Sequence, residues 1–149
     1  VSTLDTDLDK GEWKWIGGAL GSDEAIYAMP RNASKVLRID IKAQTAETIG
    51  PDFGDKSDKW MQPALGPDGC IYGVPGRANR VLKIDPATHA VTKIGQDFGD
   101  ENRKWEGAAL GPDGRIYATP AMANKVRRTR AANLKSVTLA SSGPVHRSG

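Results

Sequence analysis

The sequence predicts an all-β chain made of three stacked copies of one four-stranded antiparallel unit, and three observations predict it. The chain repeats every 45 residues: Trp15-Ile-Gly-Gly-Ala-Leu-Gly-Ser-Asp23, Trp60-Met-Gln-Pro-Ala-Leu-Gly-Pro-Asp68 and Trp105-Glu-Gly-Ala-Ala-Leu-Gly-Pro-Asp113 are variants of one phrase. Each is followed by Ile-Tyr-x-x-Pro, from Ile26 to Pro30, Ile71 to Pro75 and Ile116 to Pro120. Within a copy the apolar residues follow the period of strands, and no run of ten or more residues keeps a 3.6 period free of Gly or Pro. A fixed period of this length marks a chain built by repeating one supersecondary unit, so the fold is argued per repeat.

Each element has a local reason. The first strand carries small residues, Gly17-Gly-Ala-Leu20 and its counterparts, and closes on tight turns at Ser22-Asp23, Pro67-Asp-Gly69 and Pro112-Asp-Gly114. Pro at the second and Gly at the fourth turn position suit a common β-turn, because proline presets φ. The second strand is the β-prone run Ile26 to Met29, Ile71 to Val74 and Ile116 to Thr119, bounded by Pro on its far side. A third strand is expected at Val36 to Ile39 and Val81 to Ile84. A fourth is expected at Thr45 to Ile49 and His89 to Ile94, with Asp85-Pro-Ala-Thr88 as the turn between.

Four antiparallel strands per repeat, the first rich in Gly and Ala, form the pattern of a β-propeller blade. Innermost strands crowd the axis and leave little room for side chains. The connector after strand four, Gly50 to Lys59, recurs as Gly95 to Lys104 and carries the chain from one blade's rim to the next blade's centre. Residues 1–14 align with the end of such a connector, which gives blades at 15–59, 60–104 and 105–140 and a tail at 141–149.

The phrase Leu-Gly-Pro-Asp-Gly-x-Ile-Tyr, followed by Ala-Asn-Lys/Arg-Val-Leu-Lys-Ile-Asp-Pro-x-Thr, resembles the blade of the NHL, SMP-30 and virginiamycin B lyase group of propellers. Leu65 to Val91 matches best. The resemblance specifies the blade, not the chemistry. It implies, for the lyases of that group, a histidine with metal-binding acidic residues, and for lactonases of the SMP-30 type, Glu, Asn and Asp around a metal in the central channel. The histidines here, His89 and His146, fall in a turn and in the tail and match neither motif, so no catalytic residue is carried over.

Blade 3 degenerates from about residue 126. Where blade 2 reads Val81-Leu-Lys-Ile-Asp-Pro86, blade 3 reads Val126-Arg-Arg-Thr-Arg-Ala131, and arginine in place of buried leucine needs a solvent-facing strand. Ser136 to Leu139 is the expected fourth strand of that blade. Two explanations stand side by side: an edge blade adapted to an open end, or an end altered by a shift of reading frame. Three blades do not close a ring, which natural propellers build from four to eight. The chain is therefore expected to be part of a larger propeller, or half of a six-bladed homodimer.

Composition bounds the partners. Hydrophobic residues make up 38% and charged residues 26%, ordinary for a folded domain, and no apolar run reaches the length of a membrane span. The start, Val1-Ser-Thr-Leu-Asp-Thr-Asp7, lacks the basic end and apolar stretch of a signal peptide. The single cysteine, Cys70, supports neither a disulfide framework nor a metal cluster, and the compartment stays open. Net charge is +3, but residues 1–113 hold 14 Lys or Arg against all 18 acids, a net of −4, while residues 114–149 hold 7 basic residues and no acid, a net of +7. No aromatic interleaves with Arg127, Arg128 and Arg130 to stack bases, which argues against nucleic-acid binding.

Candidate chemistry is thin. Asp5-Thr-Asp-Leu-Asp-Lys-Gly11 resembles a calcium loop, but Lys10 stands at position six and Ile16 at position twelve, where an EF-hand needs Gly and Glu. Asn32-Ala-Ser34 is a glycosylation sequon, meaningful only outside the cell. No Ser-His-Asp set, phosphate loop or Cys/His cluster occurs, so neither a catalytic residue nor a metal or cofactor is expected within the chain. What recurs is a surface. Connectors and strand-two-to-three loops share one face, placing Trp15, Trp60 and Trp105 near Asp52, Asp97, Asn32, Asn79 and Asn124, a set suited to a sugar, a peptide or a protein partner. The competing reading is that each Trp packs between blades, since invariance among copies is what packing between like neighbours demands. The function expected is a non-catalytic binding or scaffolding module. The alternative is a metal-dependent hydrolase or lyase completed by other blades or a second chain.

Overall fold

The computed structural model describes residues 2–4, 8 and 10–123, and the backbone of 127–130. The expected strand at Ser136 to Leu139, the tail, Asn124 and most of the calcium-like loop lie outside the described residues. All described regular structure is β. The first sheet is β1 (Trp15–Leu20), β2 (Ala25–Pro30), β3 (Val36–Asp40) and β4 (Thr45–Ile49). The second is β5 (Trp60–Leu65), β6 (Ile71–Pro75), β7 (Val81–Asp85) and β8 (Ala90–Ile94), and the third contains β9 (Trp105–Leu110), β10 (Arg115–Pro120) and β11 (Arg127–Arg130). Each sheet is a meander with neighbours in chain order. No described helix is long and apolar enough to cross a membrane.

The arginine-rich segment of blade 3 is a strand: β11 pairs antiparallel with β10, from Arg115↔Arg130 to Ala118↔Arg127. Ladder hydrogen bonds are made by the backbone, so loss of the apolar pattern does not by itself abolish pairing.

The first strands of the three sheets pack side by side, β1 against β5 and β5 against β9, which makes them the innermost strands. The small residues there answer a real crowding: a Cβ on Gly17 would lie 2.5 Å from Pro63 Cδ of the next blade. Gly17 also takes φ +61°, inside the irregularity of the β1–β2 register between Ile16 and Ala19, and β5–β6 breaks at the corresponding place between Trp60 and Pro63.

The core lies between sheets, and it uses opposite faces of consecutive blades. Ala25, Tyr27, Met29 and Val36 of blade 1 pack on Trp60, Ile71, Leu82, Ile84 and Val91 of blade 2. The other face of blade 2, with Cys70, Tyr72 and Val81, packs on Ile116 of blade 3. The period of two along each strand separates these faces: Tyr27 and Met29 point forward to the next blade, while Ile71 and Leu82 point back to the previous one. Hydrophobic burial between blades therefore supplies the cohesion that no single sheet could.

Candidate functional site

One end of the barrel-like stack gathers the connectors and the loops between second and third strands, and a repeated main-chain device fixes them. The Lys14 carbonyl accepts the amides of Arg31, Asn32 and Ala33 at 3.0, 3.1 and 2.9 Å. The Lys59 carbonyl accepts Gly76 and Ala78, and the Lys104 carbonyl accepts Ala121 and Ala123. Each loop is thus pinned to the entry of its blade's innermost strand, and the residue ahead of that lysine (Trp13, Asp58 or Arg103) sits at φ +52°, +55° or +45°.

The repeated tryptophans anchor this end. The indole N–H of Trp15 donates to the Lys35 carbonyl at 2.8 Å, and that of Trp60 to the Arg80 carbonyl at 2.9 Å. Trp60 is 1% exposed, and Phe53 of the incoming connector meets its ring edge-on with centroids 4.8 Å apart. Phe98 repeats the arrangement on Trp105 at 5.1 Å, and Trp105 is buried as well. Trp15 is half-buried. The rings of Trp60 and Trp105 stand in the interblade packing.

Asp52 and Asp97 play equal parts: each accepts the amide two residues on, Gly54 at 2.7 Å and Gly99 at 2.8 Å, closing the connector's turn. Asp97 also accepts from Asn79 Nδ2 at 2.7 Å, and these bonds hold its carboxyl below the usual range. Asn32 is not the counterpart of Asn79. One repeat on, Arg77 replaces it, and its own amide bridges blades, donating to the Glu12 carbonyl and accepting the Asp58 amide at 3.0 Å. The structure therefore brings Trp60, Asn79 and Asp97 together and leaves Trp15, Asn32, Asp52 and Trp105 at separate, related places.

Where those three meet, a cleft of about 430 Å³ opens between the two connectors. Phe53 and Trp60 supply its apolar lining, and Lys56, Lys59, Arg77, Lys93, Asn79, Asp97 and Asp100 its polar lining. The Lys93 ammonium lies over Phe53 and Trp60, 5.5 and 5.9 Å from their centroids. Lys59 is 3% exposed, and its Nζ donates to the Lys56 carbonyl at 2.8 Å. Burial lowers its pKa, against the opposing pull of Asp55 and Asp52. Lys104 repeats this role, donating to the carbonyls of Gly99 and Glu101. Lys59 and Lys104, each ahead of a Trp, are therefore first braces for their connectors.

A second constellation crosses the same end. Trp13, the most exposed of the large aromatics, stacks with the Arg31 guanidinium at 5.0 Å. Arg31 Nε binds Asp58 at 2.7 Å, and Arg103 Nε approaches the other Asp58 oxygen at 3.6 Å. Burial raises the Asp58 pKa, but the two guanidinium groups outweigh it and hold the carboxyl below its ordinary value. Sequence reading missed this chain because the repeated position carries three different residues. At the opposite end a further pairing went unread, although its signal was the fixed spacing: Tyr27, Tyr72 and Tyr117 each donate to the turn aspartate four residues earlier. Among the described residues no three of His, Cys, Asp and Glu come together to hold a metal ion.

No protein-family model matches the sequence, and no curated protein matches it. Solved structures do. Virginiamycin B lyase from Staphylococcus aureus superposes with TM-score 0.69 at 13% identity, over 95% of this chain and 45% of its own. A streptogramin B lyase gives 0.72 at 15%, over 95% and 44%. A 6-phosphogluconolactonase-like protein from Bacteroides uniformis gives 0.60 at 18%, over 87% and 40%. At such identities the likeness is one of fold: the blades are those of a β-propeller of the kind the sequence resembled. The chain spans less than half the length of these structures.

Proposed function

We propose that the chain is a β-propeller module that works by binding, without catalysis of its own, and that the cleft between its connectors takes an acidic peptide segment. The observation that supports this reading is the cleft's charge: three basic side chains that are not buried, Lys56, Arg77 and Lys93, line it against two acids, beside the buried Trp60 and the partly buried Phe53. Rigid blades hold these side chains while the connectors supply the variable surface, the usual division between scaffold and loop. Arg77 and Lys93 reach the cleft without serving the connector brace, so they carry recognition. Binding of Asp/Glu-rich peptides, measured by calorimetry, should weaken with salt and be lost in an Arg77→Ala, Lys93→Ala double variant. Binding that ignores both changes, or that is confined to neutral sugars, overturns the reading.

A second reading draws on the lyase and the lactonase-like protein among the similar structures: a metal-dependent hydrolase or lyase whose site is completed by other blades or a second chain. Tight calorimetric binding of Mg²⁺ or Ca²⁺ would favour it over the binding module.

A further inference from the structure

Three positions around the cleft break the repeat in the same direction. Lys56 stands where the next connector has Glu101, Arg77 where blade 1 has Asn32 and blade 3 has Met122, and Lys93 where β4 has Thr48. Phe53, Lys59 and Trp60, by contrast, keep their counterparts in Phe98, Lys104 and Trp105. The repeated set builds the junction, while the departing set brings three cations, from a connector, a loop and β8, to the lining of one cleft. On the reading of that cleft as a site for an acidic peptide, on which this depends, we infer that the peptide presents a phosphorylated serine or threonine, whose phosphoryl group is held by Lys56, Lys59, Arg77 and Lys93.

Charge is the first reason. Among the described residues none of these four cations forms an ion pair. Of the two acids in the lining, Asp97 already has both oxygens engaged, Oδ1 by the Gly99 amide and Oδ2 by Asn79. Cations gathered without counter-ions suit a ligand that concentrates negative charge in a small volume. A phosphoryl group carries about −1.5 to −2 at neutral pH on three strong acceptor oxygens, more than a carboxylate offers.

The donors are the second reason. Lys59 is buried, and one of its three N–H bonds goes to the Lys56 carbonyl. Lys104, at the matching place, gives two, to the carbonyls of Gly99 and Glu101. Lys59 therefore keeps donors for a group entering the cleft it lines, and a buried ammonium short of acceptors gains more from such a group than an exposed one does. Arg77 likewise makes no side-chain hydrogen bond among the described residues. The rings do not offer a rival seat. Trp60 is 1% exposed, and the Lys93 ammonium lies over both Trp60 and Phe53, which favours a short aliphatic carrier over phosphotyrosine.

Calorimetry with matched acidic peptides, carrying glutamate, phosphoserine or phosphotyrosine at one central position, reads the preference. The phosphoserine peptide should bind about tenfold tighter than the glutamate peptide. That advantage should fade as pH drops through about 6, where the phosphoryl group loses its second charge while glutamate stays ionised. No histidine lines the cleft to titrate in that range. Lys56→Glu, Arg77→Asn and Lys93→Thr each install the residue of a sister repeat, which the same backbone carries elsewhere in the chain. Each should weaken the phosphoserine peptide more than the glutamate peptide. Lys59→Met, which keeps the buried stem, should abolish the difference between the two; if it does not fold, the sister-repeat variants decide alone. Equal affinity for phosphoserine and glutamate, or tighter binding of phosphotyrosine, overturns the inference and leaves the acidic-peptide reading standing. Inorganic phosphate binding as tightly as the phosphoserine peptide also overturns it, by assigning the cleft to a free anion. Absence of binding by every peptide removes both.

Discussion

Tyr72 donates its phenolic hydrogen to the Asp68 carboxylate at 2.7 Å, with its ring fully buried between blades 2 and 3. The same pair recurs as Tyr27 with Asp23 at 2.7 Å and Tyr117 with Asp113 at 2.8 Å. In each, the aspartate also accepts the amide two residues on, so one side chain closes the first turn and caps the second strand. Removing the hydroxyl leaves a carboxylate short of one donor. Tyr72→Phe should cost about 1–2 kcal/mol, and Tyr117→Phe distinctly less, since the Asp113 side chain is open to water. Urea unfolding of the two variants decides; equal losses would mean that the hydroxyls do not matter to the turn.

The same pairing sets an alkaline limit. Burial first, and the bond to Asp23 second, push the Tyr27 phenol up from 10.0 to about 12. Tyr72 is raised further for the same two reasons. A phenol whose folded pKa exceeds its unfolded value contributes stability below pH 10 that is lost as pH rises through the folded value. Thermal midpoints should therefore hold up to about pH 10 and fall between 10 and 12, with the phenolate absorbance rising together with unfolding. Phenolate formation by Tyr27 or Tyr72 on the folded protein near pH 10, resolved with Tyr→Phe variants, would contradict this.

Asp58 titrates in the opposite sense. Its carboxyl is held below 3.8 by Arg31 and Arg103, despite burial. Its contribution is present above the ordinary carboxylate value and is lost as pH falls through the lowered one. Asp58→Asn should cost about 2 kcal/mol at neutral pH, and the difference from wild type should shrink below about pH 4. A pH-independent difference would assign the loss to packing rather than to charge.

The strands were legible because their signal is repeated three times and rests on backbone preferences: Ile-Tyr runs, Pro-Asp-Gly turns and small residues on the inner strand. The site was legible only where it also repeated. Asp52 and Asp97 share one turn-closing role, and Trp60 and Trp105 share one packing role against Phe53 and Phe98. Trp13, Asp58 and Arg103 share a backbone position but no chemistry, so no repeat betrays that Asp58 links Arg31 to Arg103 across two blades. Lys59 misleads in the other way. A lysine in a polar connector reads as surface, and only the fold shows its stem buried and its ammonium spent on the Lys56 carbonyl.

Packing and recognition should separate at the cleft. Trp60 is buried, donates to the Arg80 carbonyl and supports Phe53, so Trp60→Ala should destabilise the fold by about 3–5 kcal/mol. The Arg77→Ala, Lys93→Ala variant should lose no more than about 1 kcal/mol, the contact of Lys93 with Phe53 and Trp60, because both side chains face the cleft. Circular dichroism melts of the two variants test this. A double variant as unstable as Trp60→Ala would recast the basic residues as structural.

Gly21 and Gly54 distinguish steric from conformational need for glycine. Gly21 lies outside the left-handed region, yet an added Cβ would stand 2.7 Å from Asp23 Oδ1, 2.8 Å from the Tyr27 ring and 3.0 Å from Pro86 of the next blade. None of these can retreat, since Asp23 and Tyr27 bind each other and Pro86 is part of the junction. Gly54 has open space around it but φ +81°, so an alanine there is strained without a clash. Gly21→Ala should cost about 3 kcal/mol and Gly54→Ala about 1 kcal/mol. Because the Gly21 clash reaches Pro86, its variant should also loosen the blade 1–blade 2 boundary, seen as faster amide exchange in β7 and β8 than Gly54→Ala produces. Equal exchange in the two variants would place the strain within blade 1 alone, and would mean that the β1–β2 turn is not part of the blade junction.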